Sequence, residues 1–270
     1  MQNELKSAIR FNDFVAYFGP RGVVAMAWWL GAIHAAQIRK DHNSFPFIQI
    51  NGAADRGKSL ILDYLQKLTG QVPYAYSLAY PTPAARARSV LSAENRVVIC
   101  ENEGEFNQKF DWDELKPLYN GEFSIRSEGV MAEHHTFKGA LTITANHPVQ
   151  CSDAVASRMV TINFSDESPH ATRVRPEAIT DVSADKAIAF GIKVAQSEDW
   201  VTSSLERLLP RYQGQLTQTY GDGLSPRTAK NCAQMLALLD LLCTLLSIPD
   251  ALRNEAVKVM HDIASESIPF

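Results

Sequence analysis

The chain has 270 residues, of which 46% are hydrophobic and 21% charged, and a net charge of −4. That length accommodates one large domain or a core with a small accessory domain, and the composition is that of a globular protein with a real core. The charge excludes a wholly basic nucleic-acid coat but leaves room for a local basic channel, since affinity depends on where charges face.

Cys100, Cys151, Cys232 and Cys243 form no C-x-x-C pair and stand in mostly apolar surroundings. A disulfide framework or a zinc site is therefore not expected, and a reducing cytoplasm fits best. The opening stretch MQNELKSAIRFNDF lacks the layout of a signal peptide. Residues up to about His42 read as helical, with Gly19-Pro20 suiting a helix start. The most membrane-like run, VVAMAWWLGAIHAAQI, is shorter than the roughly 20 residues a span requires and contains His34 and Gln37. It is expected to be a buried or interface helix with no membrane partner, and Trp28-Trp29 to be packing residues.

From Phe47 to Phe164, β-rich runs alternate with helical ones. The runs FIQIN, RVVICE, ALTITAN and MVTINF carry little charge, as expected of strands buried on both faces of a mostly parallel sheet. Helices are predicted over residues 58–68, 83–93 and 112–119, so the segment reads as an α/β sandwich. Within the second helix, Arg86 and Arg88 are two positions apart and do not share a face. After the polar connector SDESPHATRVRPE, helical patterns follow over 184–196, 203–211, 226–246 and 249–265. The helix PRTAKNCAQMLALLDLLCTLL has the apolar density of a packed element and is assigned no chemistry. The expected organisation is an N-terminal helical segment (1–44), an α/β core (45–168) and a helical C-terminal region (169–270).

Gly52-Ala53-Ala54-Asp55-Arg56-Gly57-Lys58-Ser59 matches G-x-x-x-x-G-K-[ST], with a strand before it and a helix after it, which is the context the motif requires. The glycines let the backbone curl so that successive N–H groups face phosphate oxygens, and the following helix, entered through Leu60, adds its N-terminal partial charge. Lys58 reaches the β and γ phosphates of ATP in this reading, and Ser59 holds Mg²⁺. The next core strand ends in Glu101-Asn102-Glu103, where a carboxylate can hold Mg²⁺ and a neighbouring one can orient the attacking water. ALTITAN ends in Asn146, which can position the γ-phosphate and its water or simply form a turn before His-Pro. Arg158 precedes the last strand, either as an arginine finger on a neighbour's nucleotide or as a surface ion-pair residue.

The order GxxxxGKS, strand with acidic tip, LKPLYNGEFSIRSEG…FKGALTITANHPV, then SDAVASRMVTINF resembles the superfamily 3 helicases of the AAA+ class, in particular the helicase modules of phage and plasmid primase-helicases. Lys116, Gly121-Glu122, Arg126 and Phe137-Lys138 match the family's layout between the acidic tip and the sensor strand. The resemblance implies an AAA+ core, a hexameric ring and ATP hydrolysis at subunit interfaces. It makes Lys58 and Ser59 the Walker A pair, Glu101 with Ser59 the Mg²⁺ ligands, Asn146 the sensor and Arg158 the finger. Residues 127–135 become a pore hairpin on single-stranded DNA, with Arg126, His134, His135 and Lys138 as DNA contacts and a primase or polymerase domain or chain as partner. Two departures stand out. Asn102 occupies the second acidic position, so either Glu103 takes over or hydrolysis is slowed. The hairpin SEGVMAEHH carries two glutamates and no lysine. The alternatives are a nucleotide-switched assembly protein that does not unwind DNA, and a small-molecule kinase, which leaves Asn146 and Arg158 unexplained. Adjacent histidines on a strand face opposite ways, so His134-His135 is not expected to bind a further metal.

Overall fold

The computed structural model describes residues 2–71, 74–76, 82–102, 110–125, 133–164 and 174–268. Its strands are β1 (Phe47–Asn51), β2 (Tyr74–Tyr76), β3 (Val97–Asn102), β4 (Glu122–Ile125), β5 (Glu133–Thr136), β6 (Ala140–Ala145) and β7 (Met159–Asn163). Five of them form one sheet in the order β2-β3-β6-β1-β7, all parallel. β4 and β5 pair antiparallel in a separate ribbon. The four runs singled out in the sequence are β1, β3, β6 and β7; β2, a short edge strand, was not among them.

The low charge of these strands follows from burial on both sides. Ile48, Ile50, Val97, Ile99, Val160 and Ile162 face one hydrophobic cluster. The alternate positions Phe47, Val98, Cys100, Leu141, Ile143 and Met159 face the other. The first cluster is roofed by α4 (Lys58–Thr69), between β1 and β2, and by helices from both ends of the chain: α1 (Gln2–Ala8), α2 (Phe11–Ile33), α3 (Ala35–His42), α8 (Glu177–Thr180), α9 (Ala184–Ala195), α10 (Glu198–Tyr220), α11 (Pro226–Leu246) and α12 (Asp250–Glu266). The second is covered by α5 (Pro83–Leu91), a 3₁₀ turn at Trp112–Leu115, α6 (Lys116–Asn120) and α7 (Asp153–Ala156).

The break expected at Gly19-Pro20 is present: α2 is two helical stretches joined across a kink, with Gly19 between them at the non-helical φ 60 and ψ −157, a backbone shape that glycine adopts without steric cost. Trp28 and Trp29 are fully buried, and Trp28 Nε1 donates to Pro46 O at 2.8 Å. The helix expected over 203–211 is longer, Glu198–Tyr220. Pro210 lacks one backbone N–H, but the buried face Val201, Leu205, Leu208, Tyr212 and Leu216 continues past it at helical spacing. The helix expected over 112–119 opens as a 3₁₀ turn, because Pro117 suits only the first turn of the α-helix that follows.

Among the described residues the helix long and apolar enough to cross a membrane is α11, not the tryptophan segment, and 83% of its apolar window is buried within the protein. All four cysteines are free thiols. Arg39 is buried against Phe45 and Phe137 and donates to Phe137 O at 3.2 Å, while its Nε and Nη2 have no partner.

Candidate functional site

Asn51, Asn102, Ala145 and Asn163 end neighbouring parallel strands at one edge of the sheet. Carboxyl ends of parallel strands are where open α/β sheets bind ligands. The loop 52–57 leaves β1 there. Gly52 N still pairs with Ala145 O at 3.2 Å, after which Ala53 to Arg56 stand exposed. The curl is made by two left-handed residues, Asp55 (φ 64) and Gly57 (φ 80). A Cβ on Gly57 would also lie 3.3 Å from the Phe18 ring and 3.4 Å from that of Tyr17. The positive φ favours glycine here, and a Cβ would in addition press closely on the Phe18 ring. α4 then opens with no side-chain cap, so its first N–H groups are available to an anion.

Lys58 is 8% exposed. Its Nζ donates to Gly52 O at 2.5 Å, Ala53 O at 3.1 Å and Asn146 Oδ1 at 2.7 Å, which uses all three of its donors. The lysine at the head of α4 and the asparagine after β6, 88 residues apart, therefore meet side chain to side chain. Ser59 is exposed in the first turn of α4, and Glu101 is exposed in β3 opposite Thr144 of β6. Among the described residues no three His, Cys, Asp or Glu side chains cluster as a metal cage. A hydroxyl and one carboxylate suit Mg²⁺, which keeps most of its waters and takes the remainder from substrate phosphates. The loop, the buried ammonium and this sparse oxygen set fit a Mg²⁺-nucleotide. Glu103 lies outside the described residues.

Arg158 sits at the opposite end of the sheet. Its carbonyl accepts from Phe47 N, the first residue of β1, at 3.0 Å, whereas the loop follows the last. At about 3.3 Å per residue, the length of β1 separates Arg158 from the loop 52–57. Its side chain lies over the Tyr119 ring at 5.4 Å and donates to Ala154 O, with Nε unpartnered.

The expected DNA contacts fare unevenly. His134 and His135 are on β5, where Ser124 Oγ lies 3.0 Å from His134 Nδ1 and the Glu133 carboxylate 3.4 Å from His135 Nε2. Lys138 is exposed just before β6. Arg126 and most of the expected hairpin, residues 126–132, lie outside the described residues. Arg86 is committed to Glu114 in a two-pronged pair at 2.8 and 2.5 Å, and Lys116 to Asp113 at 2.7 Å.

Sequence reading missed an amide pair at the site edge. Asn51 Nδ2 donates to Asn163 Oδ1 at 3.1 Å, and Asn51 Oδ1 is buried without a partner. The signal was present, since FIQIN and MVTIN end alike.

No protein-family model matches the chain, and no curated protein matches it. Among solved structures, one titled "SCCmec type IV Cch - active helicase" matches with a TM-score of 0.64 at 14% identity, over 95% of this chain and 51% of that one. At that identity the likeness is one of fold, and this chain spans about half the length of that helicase.

Proposed function

We propose that the chain is the ATPase module of a superfamily 3-type AAA+ helicase or translocase acting in phage, plasmid or other mobile-element DNA replication. The observation that carries the reading is the Lys58–Asn146 hydrogen bond, which joins the phosphate loop to the tip of the adjacent strand. The fold shared with a protein titled an active helicase adds support.

In this reading the backbone N–H groups of residues 53–58 and the Lys58 ammonium bind the polyphosphate. Asn146 hands its lysine partner over and orients the γ-phosphate and the attacking water. Ser59 and Glu101 would hold Mg²⁺, which would supply neutralisation of the charge developing on the transferred phosphoryl group. Glu103, or Glu101 in its place, accepts the proton of that water. Arg158, remote from its own loop, serves the site of the next subunit in a hexameric ring. Arg126, His134, His135 and Lys138 line the path of single-stranded DNA, and a primase or polymerase domain or chain is the expected partner.

A second reading, a nucleotide-switched assembly protein that does not unwind DNA, is favoured by one observation: both hairpin histidines already have partners within the ribbon. The deciding measurement is steady-state ATP hydrolysis with Mg²⁺, with and without single-stranded DNA, beside Lys58→Ala. Lysine-dependent turnover stimulated by DNA is the expected result. Turnover indifferent to DNA selects the assembly switch, and turnover unaffected by Lys58→Ala overturns both.

A further inference from the structure

Arg39 of α3 lies at the root of the β4–β5 ribbon, where the chain enters at Gly121 and leaves at Phe137. Phe137 N donates to Gly121 O at 2.7 Å and closes the ribbon there. Arg39 Nη1 donates to Phe137 O at 3.2 Å, and its guanidinium lies over the Phe137 ring at 4.9 Å and the Phe45 ring at 5.9 Å. The stem of the side chain meets the incoming leg as well: a Cβ on Gly121 (φ 86) would stand 2.8 Å from Arg39 Cδ. One α3 side chain thus touches both legs of the ribbon.

The incoming leg is braced from the same side. Asn43 O, just after α3, accepts from Asn120 Nδ2 at 2.5 Å, and Phe45 N donates to Tyr119 O at 3.0 Å. α11 stands behind these residues. Gln234 Nε2 donates to Ser44 O at 3.0 Å, and Asn231 Oδ1 accepts from Tyr119 at 2.6 Å while its Nδ2 donates to Ser157 O at 2.9 Å. One turn earlier, Arg227 Nη1 donates to Ser157 Oγ at 3.0 Å. Beyond its root the ribbon is largely exposed, at Glu122, Ser124, Glu133, His134 and Thr136. At about 3.3 Å per residue its far end stands about 10 Å from the root, so a rotation of about 10° there moves the far end by about 2 Å.

Arg39 is costly where it stands. It is 4% exposed, its Nε and Nη2 have no partner, and burial lowers its pKa to about 9, which leaves it charged near neutral pH. Such a buried charge stabilises a fold no better than an apolar side chain of similar volume. What it supplies is geometry, because the cation recovers part of its desolvation cost while it stays on Phe137 O and against the two rings. We propose that Arg39 is a positioning residue for nucleic acid, fixing the angle at which the β4–β5 ribbon presents His134 and His135 to single-stranded DNA. The inference rests on the helicase reading above and adds to it a residue of the N-terminal helical segment that the sequence reading did not single out. Arg39 itself touches neither nucleotide nor DNA and acts through Gly121 and Phe137.

The test uses the full chain, Mg²⁺-ATP and a single-stranded thymidine oligonucleotide. Arg39→Met keeps the stem and removes the charge and the donors, while Arg39→Lys keeps the charge and a donor for Phe137 O. We expect Arg39→Met to raise the oligonucleotide concentration for half-maximal stimulation of turnover about tenfold. Its DNA-free turnover and ATP KM should match wild type, and its melting point should be no lower. Arg39→Lys should stay within about threefold of wild type in the same titration. Hydrogen exchange of the nucleotide-free protein, which needs neither ATP nor DNA, should find the amides of β4, β5 and Phe137 about tenfold faster in Arg39→Met, with those of β1 and β6 unchanged. A wild-type titration in Arg39→Met, or wild-type exchange in its ribbon, overturns the inference and leaves the ATPase reading standing. A loss that Arg39→Lys does not repair also overturns it, as does an Arg39→Met protein that melts lower and loses DNA-free turnover, since Arg39 then serves the core. A wild-type chain whose turnover ignores the oligonucleotide removes the helicase reading and the inference together.

Discussion

The contact between Lys58 and Asn146 makes a prediction with two opposite signs. Asn146→Asp preserves shape and puts a carboxylate 2.7 Å from a buried ammonium. The bare attraction at that distance is about 6 kcal/mol at an effective dielectric near 20. The amide oxygen already accepts a charge-assisted bond and the new carboxylate must be desolvated, so the net gain is of order 1 kcal/mol. The nucleotide-free protein should therefore melt about 2–4 °C higher, the usual shift for a domain of this size. Nucleotide binding should move the other way. The carboxylate both retains the lysine and repels the γ-phosphate, and about 1.4 kcal/mol of such cost weakens binding tenfold. Thermal melts without ligand, and titration with a fluorescent ATP analogue in Mg²⁺, read the two effects separately. Asn146→Ala is the control and should produce neither a higher melting point nor a tenfold loss of affinity. An Asn146→Asp protein that melts no higher than wild type, or binds nucleotide normally, would show that this contact does not link the loop to the neighbouring strand.

Arg39→Met should leave stability unchanged or raise it by about 1 kcal/mol in urea unfolding, since two buried N–H donors without partners disappear with the charge; a loss above about 2 kcal/mol would show that its stacking on Phe45 and Phe137 dominates. Gly139→Ala should cost about 3 kcal/mol, because its Cβ would stand 2.3 Å from Arg96 O and 3.2 Å from Glu94 O, backbone atoms with no rotamer to yield, and a normal unfolding midpoint refutes this. Burial pushes the thiols of Cys232 and Cys243 up to about 12 and raises those of Cys100 and Cys151. Labelling with a thiol reagent should accordingly be slow near neutral pH, accelerate as pH rises toward the thiol values, and begin at Cys151, which alone is not fully buried. Mass spectrometry that finds Cys232 modified first in the folded protein would contradict that order.

Much of the sheet was legible because two-sided burial leaves a plain mark: β1, β3, β6 and β7 are apolar, β-branched and nearly uncharged. The loop was legible because backbone curl and charge fix residue types at set spacings. β2 escaped notice because Tyr74–Tyr76 is a short edge strand in which one of three residues is buried, which demands little of its sequence. Pro210 concealed the second half of α10, since a local rule about proline was outweighed by packing against α11. The hold that α11 takes on Ser157 could not be read at all, since Arg227 and Asn231 reach it across 70 and 74 positions of sequence, and no local spacing encodes that.

The sheet's first face is closed by α2 from one end of the chain and by α11 and α12 from the other, which also touch each other. The stretch that carries the loop 52–57, Asn146 and all the described strands therefore does not own its core. Cut out as a fragment from residue 45 to 168, it would turn Ile48, Ile50, Val160 and Ile162 outward as a continuous greasy sheet face, with the loop no longer leaning on Tyr17 and Phe18. Such a fragment should aggregate. A soluble shorter version must keep both flanking helical layers, and any fusion partner belongs in a surface loop, not in place of either of them.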